Sequence, residues 1–197
     1  MIDVLVLYYS ASGSVKTLAE ALARGVESVA GCRARVRTVP RVAPVTEVAA
    51  PAVPAGGPPY VEARDLAECA ALALGSPTRF GNMAAPLKFF IDGLGAEWVR
   101  GTLSGKPAAV FTSTSTMHGG QESTLLSMMV PLLHHGMLLV GIPFTEPDLN
   151  STRSGGTPYG ATHVAGAAND RRVTDEEQRL AFALGKRLAA IAAKLAA

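Results

Sequence analysis

Four short runs of unbroken hydrophobicity punctuate the chain: Val4 to Tyr9, Ala70 to Leu74, Ala108 to Phe111 and Met137 to Ile142, with a more polar fifth candidate at Ala34 to Val39. Runs that are continuous rather than alternating belong to strands covered on both faces, which is the condition of a parallel sheet. Between them the apolar spacing changes to that of helices. Val15, Leu18, Leu22, Val26 and Val29 form one stripe, Leu87 to Leu94 belongs to a second, and Leu125, Met129, Val130 and Leu133 to a third. Thr174-Asp175-Glu176-Glu177 is a capping box that opens a last helix carrying Leu180, Leu184, Leu188, Ile191 and Leu195. Five strands alternating with about five helices predict a doubly wound α/β fold on a five-stranded parallel sheet, with 1–197 as one domain.

Two stretches interrupt the alternation. Residues 40–60 hold six prolines among Ala and Val, and residues 143–172 hold Gly155-Gly156-Thr157-Pro158-Tyr159-Gly160. Irregular connections this long are usually functional or touch something. Composition points the same way: 48% of residues are hydrophobic and only 17% are charged, where roughly 25% charged is ordinary. An excess of apolar surface over charge predicts self-association, with residues 40–60 among the covered parts.

The same figures exclude an intrinsically disordered chain. No run reaches the roughly 20 apolar residues of a spanning helix, and Met1-Ile2-Asp3-Val4 lacks the basic start of a signal peptide, so the expectation is a cytoplasmic protein. A net charge of +2, with no helix-turn-helix pattern, gives no nucleic-acid footprint. Cys32 and Cys69 stand alone, and His118 and His163 have no Cys or carboxylate cluster beside them, so no metal site is expected.

In open α/β sheets ligands bind beyond the carboxyl ends of the strands. Three of those ends are rich in small hydroxyls and glycine: Ser10-Ala11-Ser12-Gly13-Ser14-Val15; Gly75-Ser76-Pro77-Thr78-Arg79-Phe80-Gly81-Asn82; and Thr112-Ser113-Thr114-Ser115-Thr116-Met117-His118-Gly119-Gly120-Gln121. The first opens onto a helix, whose amides and dipole suit a phosphate. It is neither a Walker loop nor a GxGxxG fingerprint, so it reads as a loop that holds a phosphate rather than one that transfers it. An ordinary Ser-rich cap reads equally well for that loop taken alone. In the second, Pro77 is expected to fix a turn, with Arg79 as a cation and Phe80 as a flat group beside a planar ring. The third, with five consecutive Ser/Thr residues, is expected to be a loop and not core. Phosphate, sugar and flat ring together spell a mononucleotide on a flavodoxin-type fold.

The blocks Val4 to Ser10, Gly75 to Met83, Gly119 to Glu122, His134-His135-Gly136-Met137 and Gly155 to Ala161, in that order over nearly the whole chain, closely resemble the WrbA family of flavodoxin-like NAD(P)H:quinone oxidoreductases. The resemblance implies an FMN enzyme that takes a hydride from NADH or NADPH and passes two electrons to a quinone, as a homotetramer with active sites near subunit junctions. By position it assigns Ser10 to Val15 to the phosphate, Thr78 to Phe80 to the ring system, and Ser113, Thr114, Ser115, Thr116, Met117, His118 and Gly119 to a third FMN loop, with Pro77 also counted among the cofactor-binding residues. It also places His134 beside the flavin, and Trp98, the only tryptophan, with Phe80 and His134 at the substrate site. Gly155 to Ala161 is expected to shape the pocket. Where some relatives carry an aromatic in the first loop this chain has Ser12, and the Met117-His118 loop is one residue longer than in some. Rival readings are a one-electron flavodoxin-type carrier, against which the +2 charge argues because such carriers are usually acidic, and a non-enzymatic FMN-binding regulatory module. A hydrolase is disfavoured by the lack of a GxSxG elbow.

Overall fold

A computed structural model describes residues 1–42 and 56–196 of the chain. Within them the chain runs β1 (Ile2–Tyr8), α1 (Ser14–Glu27), β2 (Cys32–Thr38), α2 (Ala63–Glu68), β3 (Ala71–Arg79), β4 (Asn82–Met83), α3 (Ala85–Asp92), α4 (Gly95–Val99), β5 (Pro107–Thr114), α5 (Gln121–His134), β6 (Leu138–Leu139), α6 (Asp148–Ser151), β7 (Gly160–Val164) and α7 (Asp175–Leu195). The sheet order is β2-β1-β3-β5-β6, all parallel, with β4 folded back antiparallel on β3 and β7 paired with β5. The doubly wound parallel fold is therefore as the hydrophobic runs imply. Along β1, Val4, Val6 and Tyr8 enter a core with α1 and α7, while Leu5 and Leu7 enter a second core on the opposite face. That two-sided burial is why the run is continuous.

The fifth sheet position departs from the expected single strand over Met137 to Ile142. It is shared by two segments: β6 pairs with Pro107 and Ala108, and β7 pairs with Val110 to Thr114. Residues 140–159 leave the sheet between them and return, and Ile142 N–H donates to the Pro158 carbonyl (2.9 Å) at the base of the excursion. A Cβ on Gly141 would lie 2.2 Å from that carbonyl oxygen, so only glycine permits the closure. Residues 143–172 are thus not one irregular connection, since they contain α6 and β7.

Glycine in the Gly155 to Ala161 segment is a packing requirement. Cβ atoms on Gly155 and Gly160 would stand 2.1 Å from the carbonyls of Thr162 and Val110, which lets the turn press β7 onto β5. Charges are gathered on the edge strand β2, where Arg33, Arg35 and Arg37 alternate along one face. Arg33 pairs with Asp3, Arg35 with Asp3, Asp65 and Glu68, and Arg37 with Asp65, which ties α2 to the sheet edge.

α5 also differs from the stripe expected of it. Its buried face is Gln121, Thr124, Leu125, Met128 and Leu132, while Val130 (53% exposed) and Leu133 (56%) face outward with Leu126. No helix among the described residues is long and apolar enough to cross a membrane. Most of the Pro/Ala/Val-rich part of residues 40–60 lies outside the described residues.

Candidate functional site

The three strand ends meet. Ser10, Ala11, Ser12, Ser14 and Val15 after β1, Pro77, Thr78 and Arg79 at the end of β3, and Ser113, Thr114, Ser115, Thr116 and Gly119 at and after β5 line one cleft of about 470 Å³, together with Asn169. A volume of this size lies within the ordinary range for ligand clefts.

The first loop is organised by Ser10, whose Oγ accepts from the amides of Gly13 (3.1 Å) and Lys16 (3.4 Å). Gly13 sits at φ 100, a left-handed conformation that glycine adopts without strain, and serves as the N-cap of α1 with no side-chain cap. The first turn carries no acid, and the amides of Ser14 and Val15 find no acceptor among the described residues. The Lys16 ammonium turns along the helix to Glu20 (3.8 Å). These are the free donors and the positive dipole end that an anion requires. Among the described residues Arg79 is the one lining cation, and none of those that line the cleft is an acid. Amides, hydroxyls and a single guanidinium suit the phosphate, polyol and ring of a mononucleotide, so the residues present fit such a group.

The second loop is not turned by Pro77, which lies within β3. Tyr9 N–H donates to the Gly75 carbonyl on the β1 side (2.9 Å), and alternate residues of a strand face the same neighbour. The N–H that Pro77 lacks would therefore point past the end of β1, where no ladder bond is lost. The turn is made instead by Phe80 (φ 53) and Gly81 (φ 76), between Thr78↔Met83 and Arg79↔Asn82. Two consecutive left-handed residues make a tight hairpin, and a non-glycine there is strained. The Phe80 ring is fully exposed. It projects from the hairpin and is not a lining residue of the cleft.

The Ser/Thr run is half strand and half loop. Thr112, Ser113 and Thr114 are buried in β5, contrary to the expectation that the run would not pack. The hydroxyls of Thr112 and Thr114 are internally satisfied, Thr112 donating to the Ser76 carbonyl (2.7 Å) and Thr114 to that of Thr116 (2.8 Å). A Cβ on Gly119 would fall 2.5 Å from Thr116 Oγ1, so the return of the loop needs glycine. Met117 and His118 lie on the outer part of this loop, outside the cleft lining, and buried Gln121 ties the loop down by donating to the Met117 carbonyl (2.8 Å).

Trp98 and His134 are brought together, but not onto that cleft. Trp98 Nε1 donates to the His134 carbonyl (2.8 Å), and both line a neighbouring hollow of about 520 Å³ with Met83, Ile91, Val130 and His135. A third hollow, between Tyr9, Arg79, Asn82, Met83 and Lys88, lies between the two: it shares Arg79 with the cleft and Asn82, Met83 and Lys88 with the Trp98 hollow. Burial, opposed by Glu97, lowers the pKa of His135, whose Nδ1 has no partner among the described residues.

The residue that the strand ends did not disclose is Asn169. It follows β7, whose small side chains do not announce a strand. The only sequence signal is a left-handed-tolerant Asn in a Gly-Ala-Ala-Asn-Asp turn, and its φ is 57.

Residues 2–145 match the family of NADPH-dependent FMN reductases. Over the full length of both chains the protein is 46% identical to an NAD(P)H dehydrogenase (quinone) of Chromohalobacter salexigens and 43% identical to one of Trichlorobacter lovleyi. Among solved structures it resembles a WrbA-like flavodoxin from Agrobacterium tumefaciens, with a TM-score of 0.69 at 19% identity, covering 98% of this chain and 99% of that one. An archaeal flavodoxin gives 0.64 at 20% identity, again over 98% and 99%; both likenesses speak for the fold alone. With a family match over most of its length and full-length relatives above 40% identity, the chain belongs to the NADPH-dependent FMN reductase family.

Proposed function

We propose that the protein is an FMN-dependent NAD(P)H:quinone oxidoreductase of the WrbA type, acting as a single domain in each subunit of a homotetramer. The observation that carries this reading is the convergence of three hydroxyl-rich strand ends on one acid-free cleft at the carboxyl edge of a parallel sheet. The full-length relatives named NAD(P)H dehydrogenase (quinone) supply the substrate class.

FMN, when bound, supplies the hydride and electron chemistry between NADH or NADPH and the quinone. The chain supplies placement. The amides of Ser14 and Val15 and the hydroxyls of Ser10, Ser12 and Ser14 would hold the phosphate, and Pro77, Thr78 and Arg79 with Ser113 to Thr116 and Gly119 would hold the rest of the cofactor. Arg79 would bring to the cleft a positive charge able to stabilise negative charge on a reduced ring. Phe80 and Trp98 offer flat walls to nicotinamide and quinone in turn, and His134 orients the bound molecule. Because one pocket serves both substrates, the kinetics are ping-pong.

Trp98 and His134 reach this chemistry through assembly. In one chain they line a separate hollow, and Phe89, Val99, Leu126 and Leu133, each adjacent in sequence to a lining residue, are exposed apolar side chains of the kind that a second copy covers. The test is direct. Purified protein should be yellow and should oxidise NADH or NADPH with benzoquinone present, giving parallel initial-rate lines. A colourless protein that binds no FMN overturns the reading, and intersecting lines overturn the shared pocket.

A further inference from the structure

We infer that Asn169 is a cofactor-binding residue whose side-chain amide donates to the phosphate of FMN, an assignment that rests on the reading of the cleft given above. Asn169 belongs to the turn that leaves β7. Val164 is in register with Thr114, and Ala165 N–H donates to the Thr114 carbonyl (2.7 Å), so this turn continues beside Ser115 and Thr116. α1 packs on β5 and β7 as well as on β1, and its N-terminus opens at the same edge of the sheet. The turn after β7 therefore stands at the phosphate end of the cleft, where Asn169 is a lining residue.

The turn is held before any ligand arrives. Asn169 N–H donates to the Gly166 carbonyl (2.9 Å), Arg171 N–H donates to that of Ala165 (2.9 Å), and the Arg171 carbonyl lies 3.2 Å from Nε2 of the buried His163. A preset turn leaves only the rotamer of the exposed Asn169 side chain, and not the backbone, to be ordered at the moment of binding.

The backbone accounts for only part of the choice of residue. At φ 57 glycine is the least strained occupant and Asn the best tolerated alternative. What Asn adds is a carboxamide, and its side chain makes no hydrogen bond to any described residue. The cleft needs such a donor. Arg79, its one lining cation, is engaged with the Thr78 carbonyl (2.8 Å) in the ring loop, and the phosphate loop brings no cation of its own into the lining. The phosphate must be held by neutral donors, and Asn169 is the only side-chain amide among the lining residues.

The test compares FMN with riboflavin, which lacks the phosphate, by flavin-fluorescence titration of the apoprotein. Asn169→Gly keeps the left-handed turn and removes the donor; Asn169→Asp keeps the size and replaces the donor with an anion. Gly should weaken FMN about tenfold and Asp more, while riboflavin binding stays within about twofold, as loss of a hydrogen bond to a charged group implies. Equal losses for both flavins, or none, overturn the assignment. A wild-type chain that binds neither flavin overturns the reading of the cleft itself, and the assignment with it, whereas wild-type binding with insensitive variants removes the assignment alone.

Discussion

His163 Nδ1 lies 2.7 Å from Glu177 Oε2, and neither side chain reaches solvent. Glu177 also accepts from Ser154 Oγ and from the amides of Gly155, Val164 and Thr174. One carboxylate thereby binds β7, the turn before it, and the start of α7, and completes the capping box with Thr174.

Burial alone would push the Glu177 carboxyl up, but the hydrogen bonds from His163, Ser154 and the Thr174 amide outweigh it and hold the group down at about 2, against 4.5 in an open chain. A depressed folded pKa stabilises above the unfolded value, so this contribution, about 3 kcal/mol, is present above pH 4.5 and is lost as pH falls from there toward 2. Glu177→Gln should cost about 3 kcal/mol or more near neutrality, lowering Tm by on the order of 10 °C. Melting curves at pH 7 and pH 3 should show the gap to wild type narrowing in acid. A gap that is constant with pH, or absent, refutes the account.

α1 and α7 touch through a glycine on each. A Cβ on Gly25 would stand 1.9 Å from the Phe182 carbonyl oxygen, and one on Gly185 would stand 2.0 Å from that of Leu22. Gly→Ala in a helix gains up to about 1 kcal/mol of propensity, yet here the two backbones would have to separate. Overpacking of this kind costs about 1–3 kcal/mol or more, so Gly25→Ala and Gly185→Ala should both lower stability in urea denaturation. Gly95→Ala, with nothing within 4 Å, should be neutral or slightly stabilising. Equal behaviour of all three would show that the close approach carries no weight.

The fold was legible because strands buried on both faces need continuous apolar runs, and β1, β3 and β5 have them. Their ends were less legible. Thr112 to Thr114 look like loop, but β-branched Thr fits a strand and the hydroxyls of Thr112 and Thr114 find carbonyls inside the protein. β7 carries no apolar run because close packing against β5 demands small residues: a Cβ on Gly160 would meet the Val110 carbonyl at 2.1 Å. α5 is apolar on two sides, and hydrophobicity alone does not say which side meets the core. Most of the candidate cleft could be read from the strand ends, whereas Asn169 depends on a strand that carries no hydrophobic signature.

Phe80 pairs a left-handed backbone with a ring wholly in solvent, so the folded chain gains little from the side chain that it strains to hold. Phe80→Gly relieves roughly 1 kcal/mol of that strain and partly offsets it with a more flexible unfolded chain. Thermal stability of the apoprotein should therefore hold or rise slightly, while KM for benzoquinone rises several-fold through loss of a flat wall. Unchanged quinone kinetics would remove Phe80 from the substrate site. A fall in Tm would show that the ring packs on something in the assembled protein.

Leu126 and Leu133 lie one above the other on the outward face of α5, at the spacing of two helical turns, and neither lines the hollow of Trp98 and His134. If association completes the active site, charge on this face should separate the subunits without touching a site residue. Leu126→Glu/Leu133→Glu should lower the mass found by light scattering at micromolar concentration and leave the far-ultraviolet circular dichroism unchanged. FMN affinity should fall little, because the cleft belongs to one chain. Quinone turnover should fall at least tenfold, because Trp98 and His134 no longer meet a flavin. A dissociated variant with full turnover would place those two residues outside the reaction, and an undissociated one would move the interface to another face.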